Sequence, residues 1–296
     1  MFRLKTSIII SLALLCGHAS NALATAPVPV FVSIAPQAYF VQQIGKDLVE
    51  VHVMVEPGAN PHTYEPKPQQ LTALSRARLY FSMGIEFEKA KLDKMRSINP
   101  NLRVVETDHG ILKLPMAVHG HPDEHHPSAK GDDHAGRDPH IWLSPPLVML
   151  QARTILIALQ AEDPDHRTLY ETNYRNFILD IVDLDADLRA MFSGLQGASF
   201  MAFHPSWGTF ADTYGLRQVP IEVEGKRPKP AQLQDLIAYA QRSHIKVVFV
   251  QPQFSTKSAE QIARAIDGRV VAVDPLAEDW AANLRRVAEE FRHAFR

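Results

Sequence analysis

The stretch PPLVMLQARTILIALQAEDPDHRTLYETNYRNFILDIVDLDADLRAMFSG, Pro145 to Gly194, decides how the chain is laid out. It carries two helical patterns and no strand signal, Leu147 to Gln160 and then Asp165 to about Gly194. Asp163-Pro164-Asp165 separates them, with Asp163 placed to cap the second. Leu169, Phe177, Ile178, Ile181, Leu184, Leu188 and Phe192 recur in that second pattern at helical spacing. On both sides of this block the chain alternates between strands and helices.

Before it, strands are predicted at Val28 to Ile34, Glu50 to Val55, Leu79 to Met83 and Leu102 to Glu106, with helices at Ala38 to Ile44 and Gln69 to Arg76. After it come strands at Ser199 to Phe203, Gln218 to Val223, Lys246 to Val250 and Arg269 to Val273. Helices at Ala231 to Arg242, Ser258 to Ile266 and Asp279 to Phe295 accompany them. Alternation of this kind makes βαβ units and a parallel sheet. The expectation is an α/β protein of two lobes, each a parallel sheet flanked by helices, joined by a long helix. The lobes fall at 25–146 and 196–296, with a helical segment at 147–195.

Residues 1–24 read as a secretory signal peptide. Arg3 and Lys5 precede the apolar run Ser7 to Leu15, and Ala22-Leu-Ala24 supplies the small residues for cleavage near Ala24. Leu15 before Cys16 speaks against a lipid anchor. Cys16 is the only cysteine, so the mature chain has neither a disulfide nor a thiolate ligand. A transition-metal site must then use His and carboxylates. A formal net charge of −2 suggests no nucleic-acid partner. The roughly 270 remaining residues suit two ordinary domains or one large one.

Residues 119–137 interrupt the alternation with His119, His121, His125, His126 and His134 and four acidic residues among Pro, Gly, Ser and Lys. Almost nothing there is apolar, so the stretch reads as a disordered loop. Its clustered imidazoles and carboxylates suit auxiliary metal capture.

Four candidate ligands stand where a strand ends or a break begins, and open α/β sheets gather ligands at the carboxyl ends of strands. His62 follows the second strand, His140 follows the His-rich loop, His204 ends the strand from Ser199, and Asp274 ends the strand from Arg269. Each has a proline beside it, which stops the element from running on and helps aim the side chain. Taken singly, a strand-end His is most often an exposed or hydrogen-bonded loop residue, and Asp274 alone reads equally as a helix cap. Together, three imidazoles and a carboxylate suit tetrahedral Zn²⁺. Mn²⁺ favours more carboxylate oxygen, so His204 tilts the choice to zinc. Glu65 is a candidate partner of His62, and Trp142 and Trp207 candidate walls of the site. His52 reads as a surface or edge residue, and His109, His166, His244 and His293 as non-ligands.

The segments Pro61-His-Thr-Tyr-Glu-Pro66, Asp138-Pro-His-Ile-Trp-Leu-Ser-Pro145, Phe203-His-Pro-Ser-Trp207, Tyr214-Gly-Leu216 and Val273-Asp-Pro-Leu276 span the mature chain in order. With them the sequence resembles the metal-specific solute-binding proteins of ABC importers, zinc-uptake type (cluster A-I). The resemblance implies a rigid linker helix, and His62, His140, His204 and Asp274 as ligands. It also implies a periplasmic protein handing Zn²⁺ to an ABC permease in the inner membrane. A periplasmic zinc chaperone is a second expected partner, and the chain is expected to be a non-enzymatic monomer. Manganese members of that family carry an acidic residue where this chain has His204. Asn60 departs from the many relatives with an acidic residue or Ser nearby, so the fourth ligand is Asp274, another carboxylate or water. The alternatives are a secreted zinc hydrolase, for which no HExxH-type motif is present, and a free zinc buffer or adhesin.

Overall fold

The computed structural model describes residues 26–117, 136–222 and 226–295. The expected signal peptide and the histidines His119, His121, His125, His126 and His134 lie outside the described residues.

The N-terminal lobe runs β1 (Val28–Val32), α1 (Ala35–Gly45), β2 (Val49–Val53), α2 (Pro68–Leu74), β3 (Leu79–Ser82), α3 (Glu86–Ile98) and β4 (Arg103–Glu106). Helices α4 (Pro145–Glu162) and α5 (Arg167–Met191) follow. The C-terminal lobe runs β5 (Ser199–Ala202), α6 (Gly208–Thr213), β6 (Arg217–Pro220), α7 (Pro230–Arg242), β7 (Val247–Val250), α8 (Lys257–Ala265), β8 (Arg269–Ala272) and α9 (Trp280–Ala294). Every strand pairing is parallel, and the sheets have orders β2-β1-β3-β4 and β6-β5-β7-β8. Each sheet thus reverses its winding at its middle pair, and that switch point opens a crevice at the carboxyl ends of the strands.

Local chemistry explains the elements. Proline stands in the first turn of α1, α2, α4 and α7, where its missing N–H costs nothing. The inner strands β3 and β7 are buried at every residue, as strands covered on both faces must be. His52 lies on the edge strand β2, its ring stacked on Phe31 at 5.0 Å and 3.2 Å from Glu50. The sequence reading leaves α3 and α6 unmarked. Helix α3 is studded with charges and buries only Phe87, Glu88 and Met95, while α6 has 6 residues, too few to show a period. Asp163 gives no side-chain cap; its carboxylate instead accepts hydrogen bonds from Tyr170 Oη (2.8 Å) and His166 Nδ1 (2.8 Å).

The linker α5 has 25 residues, about 37 Å of helix at 1.5 Å per residue. It buries Tyr170, Phe177, Ile181, Leu184 and Leu188 along one stripe. Asn173 Nδ2 donates to Ile44 O in the first lobe (3.0 Å); Tyr214 Oη donates to Asp185 (3.0 Å) and Arg285 to Asp187 (3.2 Å) from the second. One apolar core runs through both lobes, and a second fills the space beneath α7 and α8. No helix among the described residues is long and apolar enough to cross a membrane.

Phe291 of α9 is fully buried, stacked on Phe249 at 4.1 Å and edge-on to Phe200 at 4.5 Å. Phe291→Ala is predicted to destabilise the protein by about 3–5 kcal/mol, read as a lower urea midpoint; an unchanged midpoint contradicts this packing.

Candidate metal centre

His62 sits in the turn after β2. Asn60 Oδ1 accepts from His62 N (2.9 Å), a local turn that fixes where the ring leaves the backbone. The foot of the loop is tied by Gln70, whose Nε2 donates to Met54 O (2.7 Å) and whose Oε1 accepts from Tyr64 Oη (2.8 Å). The ring's Nδ1 lies 2.7 Å from Glu86 Oε2, at the first residue of α3. The hydrogen bond from His62 holds the Glu86 carboxyl below the usual carboxylate range, against a partial loss of solvent. The turn leading into α3 is tied by Glu88, whose buried carboxyl accepts from Ser33 Oγ and from the N–H groups of Met83, Gly84 and Ile85. Gly84 turns there with φ of 79°, and a Cβ on it would meet Lys113 Nζ at 2.4 Å, so that turn requires glycine.

His140 is held by its own neighbour. Asp138 Oδ1 accepts from both His140 N (2.9 Å) and His140 Nδ1 (2.6 Å), and Asp138 Oδ2 accepts from Thr209 Oγ1 (2.9 Å) across the seam between lobes. Gly208 permits that approach, since a Cβ would stand 2.9 Å from Asp138 Oδ2. Desolvation pushes the Asp138 carboxyl up, but the His140 charge and the hydrogen bonds from His140 and Thr209 outweigh it and hold the group low.

His204 ends β5. Its Nδ1 lies 2.7 Å from Glu222 Oε1, beyond β6. Gln251, fully buried after β7, donates to His204 O (2.7 Å) and to Ser206 Oγ (2.8 Å), clamping the turn. Phe254 stacks on the imidazole at 5.2 Å and 18°.

The rings meet around His204: its centroid lies 5.1 Å from that of His62 and 5.3 Å from that of His140. A carboxylate only accepts, so each Nδ1 must carry the proton. In the neutral ring that leaves Nε2 as a lone pair. His204 Nε2 is buried with no hydrogen-bond partner, a costly state for a polar atom. His62 is the open side of the group, its side chain 35% exposed against 7% for His140 and 9% for His204. Among the described residues, no three His, Cys, Asp or Glu side chains are drawn close enough to cage one ion. The rings stand in pairwise contact about His204 rather than closed on a common point.

Asp274 has hydrogen-bond partners other than these rings. Its Oδ1 accepts from Gln253 Nε2 (3.2 Å) and Leu276 N (2.9 Å), and no hydrogen bond or ion pair joins it to the three rings. Glu65 pairs with Lys91, and Glu86 takes the place beside His62. Trp142 lies against His140, ring centroids 5.1 Å apart. Trp207 is instead fully buried among Phe210 and Phe291, and the wall beside His204 is Phe254. The sequence reading misses Glu86, Glu222, Gln251 and Phe254 altogether. Only Asp138, two residues from His140, stood inside a quoted motif.

Residues 30–294 match the family described as "Zinc-uptake complex component A periplasmic". The high-affinity zinc uptake system protein ZnuA of Bacillus subtilis (strain 168) is 28% identical over 253 residues, 83% of this chain and 78% of that one. A crystal structure of ZnuA superposes with a TM-score of 0.83 at 42% identity, covering 90% of this chain and 99% of the other. A zinc-bound deletion mutant of ZnuA superposes with a TM-score of 0.82, also at 42% identity, over 90% of this chain and 98% of that one.

Removing the charge that orients His204 should be felt at the metal. Glu222→Gln is predicted to weaken divalent-metal binding about 10- to 100-fold in chelator competition, with near-UV circular dichroism unchanged. Full affinity in that variant contradicts the orienting role of Glu222.

Proposed function

Because the chain belongs to the family of periplasmic zinc-uptake component A proteins, we propose that it captures Zn²⁺ with high affinity and delivers it to an ABC-type importer. The observation that carries this is the set of three imidazoles, each bonded through Nδ1 to a carboxylate and gathered about His204, whose Nε2 is unpartnered. Zinc accepts such neutral nitrogen donors in a tetrahedron. The ligands are His62, His140 and His204 through Nε2, with Asp274, another carboxylate or water as the fourth.

Electrostatics supports a cation as cargo. Glu86, Asp138 and Glu222 stand one hydrogen bond behind the ligand rings. Their charges offset that of the ion and raise the basicity of the imidazoles. The buried pair His140 and His204 gives a pre-formed half, and His62 closes on it from the exposed side. Where a carboxylate is that fourth ligand, the ion has no open position for a reacting water, which suits a carrier and not a hydrolase. Release then requires only that the His62 loop draw back.

The remaining assignments follow from that reading. The protein works in the periplasm after cleavage near Ala24, as a monomer, with the permease as its main partner and a periplasmic zinc chaperone as a second. The histidines His119, His121, His125, His126 and His134 collect zinc weakly beside the second ligand, and a high local ligand density favours recapture.

Two measurements check this. In direct competition the signal-free protein is predicted to prefer Zn²⁺ to Mn²⁺, and tighter manganese binding contradicts the ligand set. Deleting residues 119–134 should leave the tight site intact and abolish the weaker additional zinc; an unchanged stoichiometry in a zinc titration removes the loop from the account.

A further inference from the structure

Trp142 and Trp280 are buried at the seam between the lobes. Trp142 Nε1 donates to Pro275 O (2.7 Å), and Trp280 Nε1 donates to Trp142 O (2.7 Å). The partners are 133 and 138 residues apart in sequence. Trp142 stands two residues after His140, and Pro275 directly follows Asp274. Trp280 is fastened to the first lobe as well, edge-on to Phe40 at 5.1 Å. The third tryptophan makes the contrast: Trp207 is equally buried, yet its indole nitrogen has no partner. Burial of an indole in this fold therefore does not by itself require such a bond.

The bond of Trp142 reaches the turn that carries Asp274, and that of Trp280, at the start of α9, returns to the segment that bears His140. Asn283 Nδ2 holds Asp274 O (2.7 Å), while Leu276 N (2.9 Å) and Gln253 Nε2 (3.2 Å) hold Asp274 Oδ1. All three of those donors belong to the second lobe. The Trp142 indole is what joins this turn to the segment bearing His140. A buried carbonyl that loses its donor keeps the full cost of desolvation, so the turn is expected to move when that bond is removed.

We propose that Trp142 and Trp280 are positioning residues, their two indole hydrogen bonds setting the Asp274 turn against His140 so that the Asp274 carboxylate can join the imidazoles on zinc. This rests on the reading of Asp274 as a ligand. It also explains how a carboxylate beyond β8 keeps its register with a histidine that precedes α4, although no hydrogen bond or ion pair joins the two.

The test is a double-substitution cycle on the signal-free protein, with zinc affinity read by chelator competition and the d–d absorption of bound Co²⁺ as a second readout. Trp142→Phe keeps the ring and removes the donor. It is expected to weaken zinc about tenfold and to lower the tetrahedral Co²⁺ band, as Asp274→Ala does. In the Asp274→Ala background, Trp142→Phe should change neither reading. Trp280→Phe should behave like Trp142→Phe, and serves in its place if that variant does not fold. An equal loss in both backgrounds overturns the positioning role while leaving Asp274 a ligand. No loss in Asp274→Ala itself overturns the reading of Asp274, and the positioning role with it.

Discussion

Three imidazoles in this protein give their Nδ1 protons to carboxylates: His62 to Glu86, His140 to Asp138 and His204 to Glu222, at 2.6 to 2.7 Å. A carboxylate has nothing to donate, so each bond fixes the tautomer and the ring's rotation together. Each Nε2 is thereby left as an electron pair, and that of His204 is buried without a partner. A polar atom in that state is expensive unless something arrives to bind it. A Lewis acid that tolerates nitrogen suits that lone pair, and two of the three carboxylates behind the rings, those of Asp138 and Glu222, are buried. The chemistry of a soft-tolerant dication follows from these three hydrogen bonds more than from the histidines alone.

The fold exists to hold those pairs in register. Two sheets with the same winding bring the carboxyl ends of their strands to one crevice, and α5 fixes the lobes by bonds to both. His140 and His204 are set by buried groups, Thr209 on Asp138 and Gln251 on the His204 turn. His62 stands on an exposed turn with fewer restraints. A carrier needs this asymmetry. Binding must be tight, yet one ligand must be able to leave first, and cheap local opening belongs to the loop with the least buried contact.

Much of this was legible in the sequence, and for a physical reason. Strand and helix periods are local, so the lobe–helix–lobe order and all eight strands could be read, within a few residues, from alternation and breakers. Proline beside each candidate ligand marked a strand end or a break. What stayed hidden was non-local. Glu86 and Glu222 lie 24 and 18 residues from the histidines they orient, and Thr209 lies 71 from Asp138. No spacing rule encodes such pairs. Trp207 misled because it lies only three positions after His204, yet it turns inward at the start of α6 and joins the aromatic core. Helix α3 was unreadable since its charges face solvent almost all round, although its first residue, Glu86, holds His62.

The central claim is that the three rings bind zinc through Nε2 while Nδ1 remains protonated on a carboxylate. Long-range ¹H–¹⁵N correlation of the imidazole nitrogens, recorded before and after one equivalent of Zn²⁺, addresses it directly. The account predicts that Nε2 of His62, His140 and His204 takes on the shift of a metal-bound nitrogen, with Nδ1 of each still bearing its proton. Zinc bound through Nδ1, or ring nitrogens of these three residues that do not respond to the metal, would contradict it.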